Sequence, residues 1–254
     1  MKKKMALVLT IAMISATALT GCGGSSKAPA KETQAAAETT AETEAAETEA
    51  AETEAAETEA AETESAAAET ASEEEALAAL GHVDGNVYTN ETFGINFEAT
   101  EDWYIASPEE LAQIQGLAAD AVQDEDLADQ LRESGSIYDF YAQNTENSAN
   151  INVIIQDVGL FQGFMLNNTT KLIEEVIPQV ETALTSAGYE NVVCEQGSVT
   201  YKGADKACIS TSFTTQGIDV VQRQIYEISS QYLAVITVSA ASEEDAQAVF
   251  DLFK

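Results

Sequence analysis

The chain has 254 residues, with 44 Asp and Glu against 11 Lys and Arg, for a formal net charge of −33. So acidic a chain repels phosphate backbones, which argues against nucleic acid as a partner. A single histidine rules out HExxH and His-rich zinc constellations, while 45% hydrophobic residues still leave enough apolar side chains for a core.

The N-terminus reads MKKKMALVLTIAMISATALTGC. Lys2, Lys3 and Lys4 precede an apolar run that ends near Leu19, too short for a comfortable membrane span but suited to a secretory leader. The run closes on Leu19-Thr20-Gly21-Cys22, which resembles the bacterial lipobox in all four positions. The resemblance implies that residues 1–21 are removed and that Cys22 is acylated, palmitate among its chains, so the mature protein is held on the outer side of a cell membrane. Two or three acyl chains, at roughly 0.8 kcal/mol per buried methylene, suffice for stable anchoring. Losing the three leader lysines takes the charge from −33 to −36.

Residues 22–81 read as a linker. Residues 41–64 repeat the unit AETEA, and residues 23–80 hold sixteen glutamates against two lysines. A period of five matches neither helix nor strand, so no element gains an apolar face. Low hydrophobicity with high charge predicts disorder, more helical after Ser72, where SEEEALAAL offers an N-cap and early acids. A flexible chain of this length reaches roughly 40 Å, enough to lift a domain off the lipid.

Residues 82–254 read as one folded domain. Two short strands in VYTNETFGINFEA turn near Asn90, and WYIAS adds a third extended piece. Ser107-Pro108-Glu109-Glu110 starts a helix through N-cap, first-turn proline and early acids. A second helix follows DEDLAD and ends at Gly135; IYDFYAQNT and NINVIIQDV then form a hairpin around Glu146-Asn147. A longer helix over about residues 170–187 places Ile173, Val176, Ile177, Val180 and Leu184 on one face, with Pro178 inside it and Gly188 after it. Four strands joined by short turns and a helix from Ser242 complete the chain. Short connections imply antiparallel pairing. QYLAVITVSA, apolar on both faces, belongs at the centre with a layer on each side. The fold class is α+β, an antiparallel sheet between helices.

VYTNETFGINFEATEDWYIAS resembles the opening of PsbP-like domains, in which a strand of this type leads to a flanked tryptophan. The order of later elements is similar over residues 86–254, although Ala99-Thr100-Glu101-Asp102 stands where a proline often precedes the tryptophan. The resemblance implies an α/β/α sandwich. It implies no ligand, because members of the family bind different things.

Candidate chemistry is sparse. His82 lies at the linker edge, and Asp120, Asp124, Glu125, Asp126 and Asp129 lack the alternation and central glycine of a calcium loop. An extracellular site allows a disulfide between Cys194 and Cys208, but they stand off register across the turn at Lys202–Asp205, which favours two buried thiols. The segment VGLFQGFMLNNTT offers Leu160, Phe161, Phe164 and Met165 either as packing or as a lip for an apolar or peptide partner. With a turn at Gln216-Gly217, Gln222 and Gln224 stand opposite Thr211 and Ile209 on one sheet face.

The sequence therefore reads as a membrane-anchored extracytoplasmic lipoprotein. Its domain is expected to be a non-enzymatic binding or scaffolding module without catalytic residue, cofactor or metal. Its partners are the bilayer, through acylated Cys22, and a protein, peptide or small apolar ligand. The alternatives are an extracytoplasmic hydrolase using a carboxylate pair and an accessory subunit of a membrane complex. Because the repeat has no apolar face, deleting residues 41–64 is expected to leave the melting temperature within about one degree; loss of cooperative unfolding would place the repeat in the folded unit.

Overall fold

The computed structural model describes residues 73–116, 123–159 and 169–254. Cys22 and the segment Leu160, Phe161, Phe164 and Met165 lie outside them. Residues 73–79 form helix α1. Strands β1 (His82–Asp84), β2 (Val87–Asn90) and β3 (Ile95–Glu98) form a three-stranded antiparallel sheet. The chain continues through β4 (Trp103–Ile105), α2 (Pro108–Gln115), α3 (Asp124–Ser134), β5 (Ser136–Asn144), β6 (Asn150–Asp157) and α4 (Thr169–Ser186). It ends with β7 (Glu190–Tyr201), β8 (Ala204–Thr215), β9 (Ile218–Ser229), β10 (Tyr232–Ala240) and α5 (Glu243–Phe250). The second sheet has seven antiparallel strands in the order β4-β5-β6-β10-β9-β8-β7.

Local chemistry sets the element ends. Ser107 and Glu110 exchange side-chain-to-backbone bonds in a capping box at 2.8 and 3.4 Å, Pro108 opens the first turn, and α2 stops at Gly116 with φ 74°. Asp124, Glu125 and Asp126 occupy the first turn of α3, where they favour the positive end of the helix dipole. DEDLAD is thus exposed helix surface, with Asp129 paired to Arg132 at 2.7 Å. The β8–β9 connection turns on Gln216-Gly217, both at positive φ (50° and 78°), as a tight hairpin of right-twisted strands requires.

The central strand β10 is buried along its whole length. Tyr232, Ala234, Ile236, Val238 and Ala240 face one core; Leu233 and Val235 face the other. The second core lies beneath α4, which contributes Leu172, Ile173, Val176, Val180 and Leu184, while Ile177 is only partly buried. The first core is aromatic. Tyr88 stacks on Phe140 at 4.4 Å, and Phe97 meets Trp103 and Phe253 at 5.6 and 5.2 Å. An α+β sandwich is what the sequence predicts, but the layer over this core is not purely helical: β1–β3 share it with α1, α3 and α5. The chain after α5 also returns to β3, where Lys254 N donates to Asn96 O at 2.9 Å.

The packed unit begins before His82. Ala76 and Ala79 of α1 are fully buried, because the helix that SEEEALAAL predicts turns its small residues onto the aromatic core. One carboxylate holds this junction. A register shift between Tyr138 and Phe140 in β5 directs Asp139 toward the three-stranded sheet. Its oxygens accept from Gly81 N at 2.9 and 3.0 Å, from the Tyr88 hydroxyl at 2.5 Å, and from Asn90 Nδ2 at 3.2 Å. Asn90 Nδ2 also donates to Ala79 O at 2.9 Å, closing the knot on α1.

The Asp139 residue as a whole is half-buried, but its carboxylate is enclosed by these donors. Burial holds the carboxyl above its usual range, against the downward pull of the bonds from Tyr88, Gly81 and Asn90. Burial, and then the neighbouring Asp139, push the Tyr88 hydroxyl well up. A carboxyl whose folded midpoint exceeds its unfolded one favours the native state most when protonated. Stability from this group therefore rises as the pH falls from above the folded midpoint toward the unfolded value near 4. Asp139→Ala would strand the Tyr88 hydroxyl and Gly81 N and leave Asn90 Nδ2 with Ala79 O alone, and is expected to cost about 2–4 kcal/mol in urea unfolding. Asp129→Ala, at an exposed pair, is expected to cost under about 1 kcal/mol. Equal losses would show that Asp139 holds nothing together.

Candidate functional site

Side chains two residues apart on a strand share a face, and the register of the large sheet aligns polar ones across it. On the α4 side, Asn150 of β6 lies opposite Ser239 of β10, which lies opposite Gln222 of β9, which lies opposite Thr211 of β8. The row ends at Cys194 of β7 on one side, and on the other at Gln143 of β5 and Tyr104 of β4. The next row inward is Tyr141, Asn152, Thr237 and Gln224, giving way to Ile209. The row after that is Ile154, Val235 and Tyr226, part of the core beneath α4.

These two rows form an uncharged floor of amides and hydroxyls. Both rows are buried: Asn150, Ser239 and Gln222 keep 7–8% exposure and Gln224 5%, whereas Thr211 has 1% and Asn152 and Thr237 have none. Most of the floor is internally bonded. Gln222 Nε2 donates to Ser239 Oγ and Gln224 Nε2 to Thr237 Oγ1, each at 3.1 Å, and the Tyr226 hydroxyl donates to Gln224 Oε1 at 2.7 Å. Asn152 is the exception. Neither its Oδ1 nor its Nδ2 has a partner, nor does Asn150 Oδ1 beside it. A buried polar atom without a partner costs about 1–3 kcal/mol, so this amide calls for a partner outside the chain, a water or a ligand.

The sequence places Gln222 and Gln224 opposite Thr211 and Ile209, and the sheet has that register. It does not single out Asn150, Asn152, Thr237 or Ser239. The signal was present, as two asparagines alternating with apolar residues at the start of β6 and two hydroxyls at the end of the most apolar strand.

The remaining chemical groups lie at the ends of the floor or away from it, with the Glu110 carboxylate on the Tyr104 hydroxyl at one end and Cys194 at the other. Asp139 is on the opposite face of the sheet. Asp102 is held below the usual range by hydrogen bonds from Thr100 and then Asn144, and Glu110 by one from the Tyr104 hydroxyl and then by the Ser107 backbone. These three carboxyls form no facing pair with one another. Cys194 lies at the end of the floor and Cys208 in the aromatic core, so their side chains leave opposite faces and both are free thiols. Burial raises the Cys194 thiol and pushes Cys208 up to about 11. His82 is exposed in β1, and among the described residues no cluster of three His, Cys, Asp or Glu could hold a metal.

A cavity of about 450 Å³ lies between the β7–β8 turn and the C-terminal segment, lined by Lys202, Phe250, Asp251, Phe253 and Lys254. Two of its polar side chains are engaged: Lys202 Nζ donates to Gly94 O, and Asp251 accepts from Gln247 Nε2 at 2.9 Å. The buried Tyr201 hydroxyl, whose ring packs on Phe250 and Phe253 beside it, is a further unpaired group, so the unpaired atoms of the sheet are shared between the floor and this end of β7.

No family model matches the sequence, and no curated protein matches it. Among solved structures the chain is similar to cyanobacterial PsbP (CyanoP) from Synechocystis sp. PCC 6803. The identity is 14%, the match covers 68% of this chain and 95% of that one, and the TM-score is 0.40. It is also similar to LpqN, involved in cell envelope biogenesis of Mycobacterium tuberculosis, at 12% identity over 62% of this chain and 76% of that one, with a TM-score of 0.31.

If the Asn152 amide is kept for a ligand, replacing it by leucine, with the same branching and no polar atom, removes an uncompensated cost. Asn152→Leu is expected to raise the unfolding free energy by about 1–3 kcal/mol in urea titration. A loss of similar size would make the amide part of the structural framework.

Proposed function

We propose that this protein is a membrane-anchored extracytoplasmic lipoprotein whose folded unit is a non-enzymatic binding module, with the polar floor as its site. The observation that carries the binding assignment is Asn152: fully buried, opposite a bonded Thr237, and unpaired at both side-chain atoms. General acid–base chemistry needs a titratable group near its operating pH within reach of the substrate. The floor offers amides and hydroxyls, and the half-buried Cys194 beside them has its pKa raised by burial, which disfavours the thiolate. Recognition through hydrogen bonds is what such groups do well.

The anchor rests on Lys2, Lys3 and Lys4, the apolar run, and the box ending at Cys22. Among the described residues no helix is long and apolar enough to cross a membrane, and acyl chains on Cys22 would supply the attachment. The acidic linker would hold the module away from anionic headgroups. Leu160, Phe161, Phe164 and Met165 are part of the same proposal, as an apolar lip for a partner. Cys22→Ala is expected to move the protein from the membrane fraction to the medium, or to leave an uncleaved precursor. A fully processed mutant retained equally at the membrane would overturn the anchoring.

A further inference from the structure

We infer that the floor recognises an uncharged sugar through two neighbouring hydroxyls, a vicinal diol set against the Asn152 amide. This rests on the floor being a ligand site and specifies what that site takes.

The inference follows from what is unpaired. Asn152 presents one acceptor, Oδ1, and one donor group, Nδ2, side by side on a single edge, and neither is bonded. A ligand that satisfies both must carry an acceptor and a donor side by side on its own edge. An anion would meet Nδ2 and repel Oδ1; a cation would do the reverse. A trans peptide group points its N–H and C=O in opposite directions, so one peptide unit meets only one of the two atoms. Each hydroxyl of a diol both donates and accepts, so one can accept from Nδ2 while its neighbour donates to Oδ1. Asn150 Oδ1, one pleat away on β6, is a further free acceptor that a third hydroxyl could reach.

The surroundings agree with this chemistry. Every polar side chain of the two rows from β6 to β8 (Asn150, Asn152, Thr211, Gln222, Gln224, Thr237 and Ser239) is uncharged. The flank toward β4 carries Tyr141, half-buried, and Tyr104, 47% exposed. Such rings have an apolar face with a polar tip, suited to the C–H face of a sugar ring. Asn150, Ser239 and Gln222 of the outer row keep 7–8% exposure, so a ligand would have to approach from that side.

The test uses the folded protein with ¹⁵N-labelled side-chain amides and defined probes: maltotriose, cellotriose and an N-acetylglucosamine trimer. Trialanine amide, adenosine and inorganic phosphate serve as peptide, base-edge and anion probes. At least one saccharide is expected to bind in the millimolar range or tighter and to shift the Asn150 and Asn152 amide resonances. Asn152→Leu is expected to weaken that saccharide at least tenfold while staying folded. No saccharide binding, or saccharide binding that leaves both resonances unmoved, overturns the inference. So does a response confined to trialanine amide, adenosine or phosphate. If Asn152→Leu is stabilising yet no saccharide binds, the ligand class is wrong and the site stands; if Asn152→Leu is strongly destabilising, the site itself falls.

Discussion

The enclosure of the Asp139 carboxylate is the constraint on which the rest of the arrangement depends. Three parts of the chain meet on it: Gly81 just after α1, the strand β2, and the bulge of β5 some fifty residues further on. None of these parts has a large core of its own. Helix α1 buries alanines, and a three-stranded sheet of three- and four-residue strands is marginal unless packed against something. Asp139 supplies a fixed point around which Tyr88, Phe140 and Phe97 stack, and the aromatic core then closes one side of the large sheet. Its raised pKa records the cost of taking a carboxyl out of water for this purpose.

With one face closed by aromatics, the large sheet can differ on the other. There α4 covers apolar rows, and two further rows are polar. The contrast is informative because the same strands supply both. On β10, Leu233 and Val235 lie under the helix, and Thr237 and Ser239 extend the same face into the floor. Nothing in strand formation requires that change. A sheet selected for stability alone would continue the apolar pattern, since valine or isoleucine in place of Asn152 would bury area and strand no amide. The glutamine, threonine and serine side chains satisfy one another, and it is Asn152, with Asn150 Oδ1, on which the proposed contact with a ligand rests.

Much of the fold was legible in the sequence. Ser107-Pro108 with Glu110, Gly135 after α3, and Ser242 before three acids each fix an element end through local chemistry, so a single sequence suffices. The central place of β10 followed from its being apolar on both faces, and the pairing of Gln222 with Thr211 from the length of one turn. Asp139 was not legible. It sits in IYDFYAQNT as a polar residue in an alternating strand, which reads as solvent-facing; only the bulge turns it inward, and the bulge depends on donors far away in sequence. The packing of α1 was hidden for a similar reason, because alanines and glutamates look the same in a solvated linker as in a helix with a small-residue contact face. Half of the floor was missed because Asn150 and Asn152 matter only once β6 is placed beside β10, a neighbour more than seventy residues away.

The most direct test of the central claim, that the floor holds an amide reserved for a ligand, is the ¹H–¹⁵N spectrum of the Asn152 side chain in the unliganded protein. Hydrogen bonding to oxygen moves amide protons downfield, and Gln224 Nε2, bonded to Thr237, gives the internal reference. The account predicts that the Asn152 amide protons resonate upfield of those of Gln224 and lack a through-bond coupling to any protein acceptor. Asn152 protons as far downfield as those of Gln224, with a coupling to a carbonyl or hydroxyl of this chain, would show that the amide is already satisfied and would contradict the account.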